Sequence, residues 1–283
     1  MAPVRTRFLI VHNPNAGQGR RHLYEKVISR LEHRGCKLDF VETARHGEGI
    51  VAAAAGHRSE RFDAIVAAGR DGTIHDVAEG ILGHSTPLGI VPIGTANVFA
   101  REIKLPRSPD GLVQMLCYGE MRTIPVGAIN GRLFLFVSGV GFDAEAVRLF
   151  EEKGSRKFGR AGFVWPVARA LFTHQDRLLS VETDRGKTDA QWVVITRAKR
   201  YAANLMLAPE ADLHRPTFFV LKMTGHGALV RMCQLAALAT GCLRYVPGVK
   251  LEPANLGLAG SRSRISHFHQ FAQSQHPYPH SLR

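Results

Sequence analysis

The chain is short of nearly everything that would mark a disulfide-stapled, zinc-stapled or membrane-spanning protein. Its 283 residues include four cysteines, Cys36, Cys117, Cys233 and Cys242, and no two of them form a C-x-x-C pair. No disulfide framework or zinc cluster is legible, and reduced thiols in a cytoplasmic setting are expected. No uncharged run approaches the roughly 20 apolar residues that a bilayer span needs. The best apolar stretch, Gly227 to Val246, carries Arg231 and Arg244 and reads as a packed amphipathic helix. Phe8 to Val11 is too short for a signal-peptide core. No G-x-x-x-x-G-K-[ST] phosphate loop occurs. Acids are also scarce: 24 Asp and Glu stand against 37 Lys and Arg, a net charge of +13. That balance favours a polyanionic partner, whether nucleoside phosphate, nucleic acid or acidic membrane surface. Nucleic acid is not expected, because no RNP-like aromatic pattern, zinc finger or basic helix accompanies the charge. Ala254 to Arg283 holds no acid, is rich in Ser, Gln and Pro, and carries His267, His269, His276 and His280. It reads as a disordered tail without a functional metal site.

What is present is an α/β pattern. Arg7 to His12, Lys37 to Glu42, Phe62 to Ala68 and Leu88 to Val91 read as strands. Helical spacing lies between them, as in Leu23, Val27, Ile28 and Leu31. This alternation predicts a Rossmann-like parallel-sheet nucleotide-binding domain over residues 1–121. From Arg122 strand-like runs follow one another, interrupted by helical patterns at Ala144 to Glu152, Gly162 to Phe172 and Leu229 to Ala239. They predict a C-terminal antiparallel β-rich, sandwich-like domain over residues 122–253, with the tail at 254–283. The cleft between the two domains is the natural ligand site.

Three polar turns sit where strands of the parallel sheet end. They are Asn13-Pro14-Asn15-Ala16-Gly17, Gly69-Arg70-Asp71-Gly72-Thr73 and Pro92-Ile93-Gly94-Thr95-Ala96-Asn97. A strand-to-helix turn aims unpaired N–H groups and a positive dipole end at its ligand. In a parallel sheet the C-terminal strand ends share one edge, where ligands bind. Asn13, Gly69, Arg70, Gly72, Thr73, Gly94, Thr95 and Asn97 are therefore the candidate nucleotide-binding residues. Asp71 would repel a bare phosphate. It fits a Mg²⁺ partner or the acceptor of a hydroxyl proton, and an ordinary helix N-cap explains it equally well.

These segments, in order and followed by Gly139-Val140-Gly141-Phe142-Asp143-Ala144, resemble the motifs of the diacylglycerol kinase catalytic-domain family. Ala208-Pro209-Glu210-Ala211-Asp212-Leu213 resembles a further family element, and the likeness runs from about Arg7 to Leu251. It implies a nucleotide-binding α/β domain, a β-rich lipid domain and an active site between them. It also implies ATP-dependent, Mg²⁺-assisted phosphorylation of a lipid hydroxyl, such as that of diacylglycerol, at an anionic membrane surface met transiently. By matching position, Thr43, the Gly69–Thr73 turn and Thr95 would contact ATP. A homodimer is left open.

The chain also departs from that pattern. Arg70 replaces the second glycine of Gly-Gly-Asp-Gly-Thr. If the position needs positive φ, an Arg costs on the order of 1 kcal/mol and blocks the pocket; otherwise its guanidinium can grip phosphate. His75-Asp76 replaces Asn-Glu, Asn97-Val98 replaces Asn-Asp, and Arg215-Pro216 falls where an Asp-Gly would help hold Mg²⁺. No Asp-Gly-Glu, the source of the family's expected proton acceptor, occurs anywhere, and the acid-free tail reads as what a frameshift or truncation leaves. The second domain is accordingly expected to lack its last strand. A degenerate homologue that binds nucleotide without turnover is the alternative to a working lipid kinase.

Overall fold

The computed structural model describes residues 4–16, 20–94, 97–129, 132–152, 164–201, 205–254, 257–261 and 268–271. In the N-terminal half β1 (Arg7–His12), α1 (Arg21–His33), β2 (Lys37–Glu42), α2 (Glu48–Arg58), β3 (Ala64–Gly69), α3 (Asp71–Gly80) and β4 (Leu88–Pro92) follow in turn. The strands form one parallel sheet in the order β2-β1-β3-β4. Every residue of β3 is buried, as a central parallel strand covered on both faces requires, whereas edge strand β2 is mostly exposed.

Alternate side chains of the sheet build two cores. Phe8, Ile10, Val66 and Val91 pack beneath Val27 and Leu31 of α1 and beneath Leu112 and Leu116 of α5 (Pro109–Tyr118). Ser108 accepts from the Gly111 N–H and Pro109 opens the helix, so α5 carries a standard start signal. Leu9, Val11, Ile65 and Ala67 face the other way, toward Ile74 and Val77 of α3. That second core also takes in Val126, Leu133, Leu135, Ala198 and Leu213, so the two halves share it.

The C-terminal half is antiparallel and β-rich. Its main sheet runs β14 (Val249–Ala254), β13 (Phe218–Met223), β10 (Trp192–Thr196) and β7 (Val137–Val140). Val193 and Ile195 of β10 pack with Leu179 and Val181 of β8 (Leu179–Thr183) and Ala190 of β9 (Gly186–Ala190), the sandwich side. Trp192 and Val194 pack on the opposite side with α6 (Phe142–Glu152), α7 (Val164–Thr173) and α8 (Ala228–Thr240). Both faces of β10 are covered, which hides its period of two and leaves every residue buried.

Two segments differ from the expected unstructured tail. Gly257–Ser261 (β15) pairs antiparallel with β8, and Phe268–Phe271 (β16) pairs with β5 (Val126–Ile129). Strands β8 and β5 otherwise present an unpaired edge, and the following chain supplies the missing backbone partners. The expected loss of strands after β14 is corrected for these nine residues; His267, His276 and His280 lie outside the described residues.

Candidate active site

The three turns gather at the C-terminal edge of the parallel sheet. The chain leaves β1 through Asn13, whose side-chain oxygen accepts from the Asn15 N–H at 3.0 Å and whose N–H donates to the Ala68 carbonyl at 3.1 Å. Asn13 thus shapes its own loop and ties it to β3. Thr43, beyond β2, is buried, and its N–H and hydroxyl both donate to the His12 carbonyl. These partners make it scaffold for the neighbouring strand end.

At the β3–α3 turn, Gly69 lies so close to the Thr73 side chain that an added Cβ would collide with it. Thr73 is buried against that glycine, and Gly72 is exposed with open space where its side chain would be. Among the described residues no side chain of the N-cap residue caps α3, so its first N–H groups remain available, together with the positive dipole end. Gly94, beyond β4, is equally constrained: a Cβ there would stand 2.7 Å from both Arg70 Cγ and Asn97 Oδ1. Asn97 adopts a left-handed conformation (φ 45°, ψ 55°) and its Nδ2 donates to the Pro92 and Gly94 carbonyls at 3.0 and 2.5 Å. Its buried Oδ1 has no partner among the described residues. Thr95 lies outside the described residues.

Arg70 ties the three turns together. Its backbone is extended (φ −88°, ψ 179°), a conformation open to any residue, so the expected cost of positive φ does not arise. The side chain is exposed, passes over Gly94 and donates from Nη2 to the Asn15 carbonyl at 3.1 Å. A second cation, which the sequence did not single out, stands beside it. Arg20, the residue before α1, reaches the Pro92 carbonyl from Nη1 at 3.4 Å. Its place just ahead of the first helix of a parallel sheet was the available signal.

Asp71 has an occupation that its sequence position does not reveal. Its Oδ2 accepts from the Val98 N–H at 3.2 Å and its Oδ1 from the Phe99 N–H at 3.1 Å. It therefore caps the start of α4 (Val98–Glu102), while the carboxylate stays partly exposed. This is the expected capping role, but on a different helix. Among the described residues no group of three His, Cys, Asp or Glu could hold a metal ion. Asp76, the shortened acid, is buried, accepts from the Gly47 N–H at 2.9 Å and pairs with His46 at 2.8 Å. His75 contacts the Leu133 carbonyl at 2.6 Å and so joins α3 to the C-terminal half.

Two further groups frame the junction. Arg197 is fully buried and donates to the carbonyls of Pro125, Leu213 and Arg215, which holds the segment before Val126 and the Arg215-Pro216 loop together. Burial pushes its guanidinium down to about 10. Asp143, in the first turn of α6, accepts from the Tyr201 hydroxyl, and burial pushes its carboxyl up to about 6. Arg215 ranges outward, 3.7 Å from Asp212.

Comparison with known proteins gives a consistent result. Residues 7–129 match the model of the diacylglycerol kinase catalytic domain. A diacylglycerol kinase of Bacillus subtilis (strain 168) is 28% identical over 241 residues, 81% of this chain and 78% of the relative. One of Staphylococcus saprophyticus is 30% identical over 144 residues, 49% of this chain and 46% of the relative. A crystal structure of a diacylglycerol kinase from Bacillus anthracis str. Sterne superposes with a TM-score of 0.66 at 17% identity, covering 94% of this chain and 89% of that one. Another solved structure from that strain reaches 0.74 at 17% identity, covering 94% and 95%. At that identity the structures speak for the fold.

Proposed function

We propose that this chain, which belongs to the diacylglycerol kinase catalytic-domain family, is an ATP-dependent kinase acting on the hydroxyl of diacylglycerol or a similar lipid at a membrane surface. The observation that carries the reading is the juxtaposition of Arg70, the uncapped start of α3 and the close-packed Gly69 and Gly94 on one sheet edge. Together they gather a guanidinium and free backbone N–H groups at one place, as binding a polyphosphate requires.

In the reaction the lipid hydroxyl oxygen attacks the γ-phosphorus. The bond from that phosphorus to the bridging oxygen breaks, and its electron pair leaves on ADP. The hydroxyl proton passes to a nearby acceptor. Asp71 is the acid this chain offers at the turn, and lone pairs remain on its oxygens beyond those facing Val98 and Phe99. The described side chains form no metal cage, so Mg²⁺ would be held largely by the nucleotide's own phosphates with Asp71 as its protein partner. Gly72, Thr73, Gly94 and Thr95 would line the phosphates, with Asn13, Thr43 and Asn97 holding the turns in place.

A second reading is favoured by one observation. The Asp71 carboxylate is already engaged at both oxygens, as expected of a homologue that keeps a nucleotide cleft without turnover. Transfer of label from γ-labelled ATP to diacylglycerol in mixed micelles with Mg²⁺ separates the two. Labelled phosphatidic acid from the wild type and not from Asp71→Ala is the expected result. A folded protein that is thermally stabilised by ATP yet yields no label would overturn the kinase and leave the binder.

A further inference from the structure

Helix α8 is built inside out. Its buried positions include Arg231, Gln234 and Leu238. Its exposed positions include Leu229, Met232, Cys233, Ala236 and Ala239, a stripe at helical spacing. A helix on a water-facing surface normally shows the opposite arrangement. Leu229 is 71% exposed. Helix α7 repeats the theme: Trp165 and Phe172, two turns apart on one face, are 60% and 76% exposed, with exposed Arg169 between them.

The two stripes are held side by side by a polar clamp. The buried Arg231 guanidinium donates to the Asp176 carboxylate and, at 2.6 Å, to the Leu171 carbonyl. Asp176 also accepts from the Gly227 N–H at 2.7 Å. Arg231 and Gln234 share the inner face with Leu235 and Leu238, and Leu229, Met232 and Cys233 are left outside. Tyr245, 74% exposed, continues the surface with Arg244 placed over its ring at 5.3 Å.

Charge on this face is mainly positive. Residues 213–251 contain no Asp or Glu, and α7 contains none either. Arg169 and Arg244 are exposed there, and the whole chain carries +13. An apolar patch bordered mainly by cations fits an anionic bilayer, into which aromatic and aliphatic side chains enter while arginines meet the headgroups. The face is also connected to the candidate site. Tyr201, in β11 (Arg200–Tyr201), donates to Asp143 on α6, and the Lys199 N–H donates to Glu102 of α4 at 2.7 Å, the helix that Asp71 caps.

We infer that the exposed α7–α8 face, with Trp165, Phe172, Leu229 and Met232 at its centre, is the surface by which this protein docks on anionic lipid bilayers. The inference rests on the lipid-kinase reading for its purpose, though not for its test. The chain has two tryptophans, and Trp192 is buried, so a change in emission on vesicle addition reports Trp165. Titration with phosphatidylglycerol–phosphatidylcholine vesicles should shift emission to the blue and sediment the full chain, and pure phosphatidylcholine should do neither. Leu229→Asp with Met232→Asp should cut vesicle binding at least tenfold with an unchanged melting temperature, and Arg169→Glu should reduce it by several-fold.

Phosphorylation of a short-chain, water-soluble diacylglycerol keeps the two ideas apart. Docking without that activity would sink the kinase alone. Absence of the blue shift with anionic vesicles would overturn the docking surface. So would a concentration-dependent dimer that Leu229→Asp/Met232→Asp dissolves, since a second copy would then cover the face.

Discussion

The β3–α3 and β7–α6 turns look alike in sequence and behave differently in the fold. Each is a strand, a glycine, one intervening residue and an aspartate: Gly69-Arg70-Asp71 and Gly141-Phe142-Asp143. Asp71 takes its hydrogen bonds from backbone N–H groups of another helix and keeps one side toward solvent. Asp143 takes its bond from the Tyr201 hydroxyl, and burial pushes its carboxyl up to about 6. The intervening residue differs too: Arg70 is exposed and cationic, whereas Phe142 is buried against Trp192 with ring centroids 4.9 Å apart. The lesson is that an acid after a strand-end glycine acquires its character from what covers it. The turn that carries an exposed arginine has the chemistry of a ligand site, and the one that buries a phenylalanine has that of a core.

The comparison breaks most visibly if the two acids prove interchangeable in importance. Asp71→Ala is expected to lower label transfer to diacylglycerol by about 100-fold or more, because it removes the only acid at the open turn and frees the start of α4. Urea unfolding should show an accompanying loss on the order of 1–2 kcal/mol for the two N–H groups left unpaired. Asp71→Asn, which retains one acceptor oxygen, should recover part of that stability and none of the activity. Asp143→Asn should leave label transfer within a few-fold of the wild type.

Asp143 has its own signature, which is pH dependence. Below about pH 4 the carboxyl is neutral in both folded and unfolded chains. Between there and about 6 the unfolded chain releases its proton while the folded chain keeps it. Stability from this group is therefore full at low pH and is lost as pH rises through the folded value. The total is at most about 3 kcal/mol. Asp143→Asn should flatten the stability profile over that window and exceed the wild type near pH 7.5 by about 2 kcal/mol, read by urea unfolding at each pH. A wild-type profile already flat from pH 4 to 7 would show that the turn is not closed as described.

How much of this was legible beforehand follows the same division. The buried strands β1, β3, β10 and β13 and the core stripe of α1 announce themselves by apolar runs and spacing, because burial selects the residues directly. The three turns are legible because Gly, Asn and Thr have few other reasons to recur at strand ends. What Asp71 bonds is not legible, because Val98 and Phe99 lie 27 and 28 residues away in sequence. The outward face of α8 is hidden for a related reason. Apolar residues at helical spacing read as core, and only the buried Arg231–Asp176 clamp shows that the helix is turned the other way. Strands β15 and β16 escape detection because pairing at a sheet edge asks little of their side chains.

Arg70 gives the smallest expected effect and the sharpest reading of the open turn. Two accounts of this residue make opposite predictions. As a plug, its side chain fills the space above Gly94, and its removal should tighten nucleotide binding. As a phosphate ligand, it leaves the Asn15 carbonyl for the nucleotide, and its removal should weaken binding. The extended backbone at φ −88° removes any strain that glycine would relieve, so Arg70→Gly gains nothing from the main chain. Its exposed guanidinium makes one bond to a neutral carbonyl, which a charge-assisted pair with phosphate outcompetes. Arg70→Gly should therefore raise the ATP dissociation constant by about tenfold, or about 1.4 kcal/mol, in calorimetric titration. The effect should shrink as salt is raised, since the pairing is electrostatic and partly exposed. Tighter binding by the glycine variant would make the side chain a plug and return the turn to the pattern from which this sequence departs.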